Sequence, residues 1–135
     1  MDERTKTNLE IILTFPSQES LIIIPRLVIS GLLSNYKITL EEIENTKLLI
    51  SEAINLLIDK THYNNITLKI SLEDKQNTIL LRTIITSKTS KYILQNLSKS
   101  GLTIHILSYL CSKFSAKELG EYIEILLERE INRVE

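Results

Sequence analysis

The stretch Leu9–Phe15 (LEIILTF) is short, rich in branched residues and halted by Pro16, a pattern that reads as a strand. PSQES follows with turn and cap chemistry. A helix is expected after it, through Gly31 to about Ser34, and Pro25 marks either its start or a bend. Thr39 and Glu42 have the spacing of a capping box. They open a helix over roughly Leu40 to Lys60 in which Ile43, Ile50, Ile54 and Leu57 recur at helical spacing. Asn45, Glu52, Asn55 and Asp59 fall on another side, so this helix is mostly buried with one polar seam. HYNN breaks it, and ITLKISLE then alternates, with Ile66, Leu68, Ile70 and Leu72 on one face and Thr67, Lys69 and Ser71 on the other. DKQN predicts a hairpin turn and TILLRTIIT a more buried return strand.

SKTSKYILQNLSKSG, rich in Ser and Lys, reads as loop with a short helical piece, and LTIHILSYLCSKF as a helix. The tail ELGEYIEILLEREINRVE admits two readings. Its residues are strong helix formers, yet Ile123, Ile125 and Leu127 alternate and Gly120 could turn a hairpin. The order β-α-α-β-β-α-(β) predicts an α/β (α+β) fold. This is a two-layer sandwich of a mixed, mostly antiparallel sheet with helices packed on one face.

Composition narrows the function classes. A chain of 135 residues is expected to form one domain across 1–135, with 1–8 flexible, and is long enough to bury a core without disulfides. The net charge of −1 and the lack of a basic stripe argue against nucleic acid. MDERTKTN has no apolar region of signal-peptide type, and Leu21–Leu33 is too short and too polar to span a bilayer. The expectation is a cytoplasmic protein without membrane contact. The single cysteine, Cys111, suits a reducing compartment and reads as a small core residue. His105, among apolar neighbours, reads as a packed core histidine. His62 reads as a cation suited to the end of the long helix. These three residues lack metal-ligand spacing, and no nucleophile elbow, P-loop or CxxC is present.

Four pieces, LEIILTF, IPRLVISGLLSNYKITLEEIENTKLLISEA, ITLKISLEDKQNTILLRTIIT and KSGLTIHILSYLCSKF, stand in an order and spacing that resemble the anti-sigma-factor serine kinases. These are small bacterial members of the histidine-kinase-like (GHKL) ATPase fold. The resemblance covers nearly the whole chain and implies that the tail is a strand. It also implies that Glu52 stands where the family has its base or water-orienting glutamate. The family's metal-holding Asn, four residues on, is Leu56 here, with Asn55 one position early and about 100° around the helix. The family's adenine-accepting Asp falls near Ile85, and its glycines near Ser87 and Thr89. In the second glycine motif Gly101 remains, but the following glycine is Thr103. Arg26 matches an arginine on the surface that grips the sigma factor in the family.

These departures imply a degenerate member that binds proteins rather than ATP. Its partner would be a sigma factor or an anti-sigma antagonist-like domain, or a second copy in a homodimer, with no cofactor and no catalytic residue. The alternative is an active ATP-dependent serine/threonine kinase with a rearranged site. There Glu52 is the base, Asn55 holds the metal, and Asn55, Gly101 and Thr103 hold the Mg·ATP. A further alternative is an unrelated small α/β binding or structural domain, because fold does not fix function.

Overall fold

A computed structural model describes residues 8–60 and 64–134. The chain runs β1 (Asn8–Pro16), a 3-10 turn (Glu19–Leu21), α1 (Ile23–Leu33), α2 (Leu40–Leu57), β2 (Asn65–Asp74), β3 (Thr78–Lys88), α3 (Lys91–Lys99), α4 (Gly101–Leu110), β4 (Lys113–Leu119) and β5 (Tyr122–Asn132). The strands form one five-stranded sheet in the order β1-β2-β3-β5-β4. Every neighbouring pair is antiparallel, so the sheet is not mixed as expected. The connections explain this. Two successive helices return the chain to the end at which it left β1, so β2 must run back alongside it. The β4–β5 hairpin folds β5 in between β3 and β4, opposed to both.

Period-two patterning decides which face the helices cover. Ile66, Leu68, Ile70 and Leu72 of β2, Ile79, Leu81 and Ile85 of β3, and Ile123, Ile125, Leu127 and Ile131 of β5 are all buried. The register sets them in rows, with Leu68 beside Ile85 and Ile85 beside Ile125. The helices cover these rows. Leu49, Ile50, Ala53, Ile54 and Leu57 of α2 and Ile29 and Leu33 of α1 lose all contact with solvent. Burying such a side chain stabilises the fold by roughly 1.5–3 kcal/mol, which makes this two-sided apolar contact the dominant favourable term. Pro25 is accommodated as the third residue of α1, where its missing N–H costs no intrahelical bond.

Several local expectations change in the folded chain. Thr39 Oγ1 accepts the Glu42 amide at 3.2 Å, which is half of the capping box. The Glu42 carboxylate does not reach back to close the box; it takes Arg129 of β5 at 2.7 Å. Arg129 also donates to the carbonyl of Leu110, the last residue of α4, so one guanidinium ties β5 to two helix ends. α2 ends at Leu57 rather than Lys60, because Ile58 is already extended. Residues 61–63, and with them the expected role of His62, lie outside the described residues. So do 1–7, while Asn8, expected to be flexible, pairs with Glu73 in the sheet. The Ser- and Lys-rich loop forms α3, capped by Ser90 Oγ on the Ile93 amide at 3.1 Å. α4 stops at Leu110, and the tail is strand in both arms of a hairpin.

Gly120 turns that hairpin at φ 63, and a Cβ built there meets nothing within 4 Å. In the β2–β3 turn Gln76 holds φ 74 despite its side chain. The two positions predict opposite signs. Gly120→Ala costs about 1 kcal/mol from backbone conformation alone, lowering the urea midpoint with an unchanged m value. Gln76→Gly raises the midpoint or leaves it level, relief of left-handed strain outweighing or matching the added freedom of the unfolded chain.

Candidate functional site

Asn55, alone of the polar seam of α2, borders a surface cleft of about 350 Å³. Asn55, exposed, and Leu56 come from the last turns of α2, and Ile58 and Lys60 from the segment after it. Tyr92, Asn96 and Lys99 come from α3, Ser100 and Thr103 from the start of α4, and Glu19 from the 3-10 turn. The structure therefore brings together Asn55 and Thr103, two residues singled out in the sequence 48 positions apart. It does not bring Glu52 or Gly101 to the cleft wall. Glu52 is half-buried on α2 and makes no hydrogen bond or ion pair with the described residues, and Gly101 is exposed.

Two residues singled out in the sequence lie in the core, and only Leu56 of them also lines the cleft. Leu56 is 4% exposed and Ile85 is 0% exposed, and both belong to the hydrophobic core. Neither side chain carries an oxygen or nitrogen, so neither can ligate a hard cation or take part in a hydrogen bond. Farther along β3, Ser87 is 2% exposed. The Thr89 amide donates to the Glu121 carbonyl at 2.6 Å, fastening the end of β3 to the β4–β5 turn. The chain continues as paired strand through Lys88. Among the described residues no group of three His, Cys, Asp or Glu side chains could hold a metal ion.

The remaining cleft chemistry is polar and mildly cationic. Lys60 and Glu19 face each other at 3.5 Å across its rim. Asn96 Nδ2 donates to the Ile58 carbonyl at 3.5 Å, holding α3 against the end of α2. Ser100 turns its hydroxyl back to the Leu97 carbonyl at 2.8 Å, so the first turn of α4 has no side-chain cap. Tyr92, Asn96 and Lys99 are not singled out by the sequence, where their segment reads as loop with only a short helical piece. The Ser90 cap and the spacing of Ile93 and Leu97 were the signal available.

Arg26, the candidate partner contact, is half-buried. Its Nη1 donates to Ser51 Oγ at 3.0 Å, and Ser51 Oγ donates in turn to the Lys47 carbonyl at 2.8 Å. The guanidinium thus clamps α1 onto α2. Nearby, the hydrogen bond from Lys47, at 2.8 Å, holds the Glu44 carboxyl below its ordinary range, and Arg26 adds a weaker pull the same way. His105 is exposed, contrary to the core placement expected of it, because Leu107 and Leu110 take the inward face of α4. Cys111 is half-buried just beyond α4, and its Sγ donates to the Leu107 carbonyl at 2.8 Å. Burial pushes its thiol above the ordinary value.

No protein-family model and no curated protein matches this chain. Among the described residues no helix is long and apolar enough to cross a membrane.

Two predictions follow from the α1–α2 clamp and the thiol. Arg26→Ala and Ser51→Ala each destabilise the fold, and the double variant loses less than their sum. Denaturation of the four forms should give a coupling of about 1 kcal/mol; additivity would mean that the clamp is not formed. Cys111, with its folded pKa raised, is alkylated more slowly in the native than in the unfolded chain near pH 8. The stability associated with the neutral thiol is complete below the unfolded pKa and is lost as pH rises through the folded one. Mass-spectrometric alkylation rates across pH check this.

Proposed function

We propose that this chain is a non-catalytic regulatory binding module related to the anti-sigma-factor serine kinases, with a nucleotide site that no longer works. The observation that carries this reading is the incorporation of Leu56 and Ile85 into the core. Each replaces a polar contact to a ligand. A hydrogen bond to a charged acceptor is worth roughly 1.5–3 kcal/mol, and a metal ligand at least as much. Together the two losses weaken a triphosphate site by roughly 10²–10⁴-fold. The two-helix connection, the central hairpin and the helix-bearing face of the sheet support a histidine-kinase-like arrangement, and the strand tail agrees with that resemblance.

The partner in this reading is a sigma factor or an antagonist-like domain, met in the cytoplasm. Arg26 contributes the guanidinium donors that Ser51 does not occupy. The exposed outer face of α1 supports pairing with a second copy, since Ile23 is 53% and Leu27 63% exposed on successive turns, with Ile24 beside them. Such a stripe on a surface helix is an association face by its chemistry.

One observation favours a second reading, an active kinase. Asn55 and Thr103 do share a cleft, and the uncapped first turn of α4 could receive a phosphate there. Under that reading Asn55 takes the magnesium and Glu52 must rotate toward the cleft to act as base.

Thermal melting separates the two. A site with Kd of about 0.1 mM would stabilise the fold by roughly 1.4 kcal/mol at about 1 mM Mg·ATP. The expected result is an unchanged melting temperature; a clear upward shift that disappears in Asn55→Ala would establish the kinase reading instead. For self-association, sedimentation should show a dimer that Leu27→Glu converts to monomer, and a monomeric wild type would remove the α1 pairing.

A further inference from the structure

Among the described residues the sheet ends in two open edges, β1 and β4. β4 is exposed at every position but the half-buried Phe114. Its neighbour β5 reveals what β4 accepts across a ladder. Glu124 stands opposite Lys117, Ile125 opposite Ala116, and Glu128 opposite Lys113. On the open face of the sheet β4 thus meets carboxylates, and on the helix face it meets a large apolar side chain. Glu124 lies 3.7 Å from Lys117. Glu128, however, is already held by Arg82 at 2.7 Å, and Lys113 makes no ion pair among the described residues. The cationic end of this row therefore lies at the free edge. On the helix face, a groove of about 380 Å³ runs beside β4, walled by Leu94, Leu97, Ile104, Ala116 and Ile123, with Glu118 of β4 also on its lining. The single methyl of Ala116 leaves it open.

We propose that the free edge of β4 docks an extended segment of a partner protein that repeats the pattern of β5. The segment carries carboxylates opposite Lys113 and Lys117 and a large apolar side chain opposite Ala116, which fills the groove. The edge itself dictates an extended partner, since another extended chain is what satisfies its row of unpaired N–H and C=O groups. The lysines then sort among extended chains by charge.

A second copy of this protein fits less well at either edge. Two β4 strands paired antiparallel about Ala116 would set alanine against alanine, leaving the groove empty. They would also place Lys117 diagonal to Lys113 and Lys117 of the other copy, and like charges at such positions repel. β1 and β4 run in the same direction in this sheet. A second copy adding its β1 with helices on the same side would therefore pair in parallel, the weaker ladder.

This inference gives the binding reading a surface and a partner chemistry, and it rests on that reading only for its use in the cell. The test titrates the full-length chain with a fluorescein-labelled peptide of sequence EYIEILLERE, that of residues 121–130, and follows anisotropy and amide-correlation NMR spectra. Expected are saturable binding and shifts confined to β4 and the groove. Lys113→Glu with Lys117→Glu, both on the surface, should weaken binding about tenfold. A peptide carrying lysine in place of both matching glutamates should recover binding to that variant. Absence of saturation at about 1 mM peptide, equal binding of a scrambled peptide, or shifts elsewhere on the fold would overturn the proposal. So would self-association that Lys113→Glu changes and Leu27→Glu does not. Lack of peptide binding with a melting temperature indifferent to Mg·ATP removes the docking edge alone. An ATP-induced shift with peptide binding intact removes the degenerate-site reading alone.

Discussion

The structure depends on one contact, the apolar face of β2, β3 and β5 pressed against α2 and α1. Eleven inward Ile and Leu side chains on those three strands are buried, and α2 meets them with Leu49, Ile50, Ala53, Ile54 and Leu57. No disulfide supports the fold, because the chain has one cysteine. Everything polar that matters is arranged around this layer. The Arg26–Ser51 bond aligns α1 along α2, and Arg129 fixes the start of α2 and the end of α4 to β5.

The same contact sets the limits of the cleft. A carboxylate at position 85 or an amide at position 56 would have to occupy space now filled by the core, and a buried polar group without a partner costs several kcal/mol. Leu56 and Ile85 resolve that competition in favour of packing. Of the two, only Leu56 lines the cleft, while Ile85 lies wholly in the core.

Surfaces not used by the core are distributed unevenly. α1 turns Ile23, Ile24 and Leu27 outward, whereas the open face of the sheet carries cross-strand charge pairs such as Lys69 with Glu10 and Arg82 with Glu128. Those pairs are exposed and contribute little to stability. One of them, Arg82 with Glu128, leaves Lys113 at the edge without an ion pair among the described residues.

The amino-acid sequence alone determined the elements whose pattern is local. Strict alternation placed β2, the DKQN turn returned the buried β3 beside it, and Thr39 placed the start of α2. It could not decide the tail, because Ile123, Ile125 and Leu127 alternate within a run of strong helix formers. Pairing with β3 on one side and β4 on the other made that segment strand. Nor could it place His105 outside, turn Glu42 from its own cap to Arg129 across 87 residues, or gather Asn55, Asn96 and Thr103 around one cleft. Periodicity and capping act between residues a few positions apart, so they are written along the chain. Burial and cleft formation act between residues that only the folded sheet and its helices bring together.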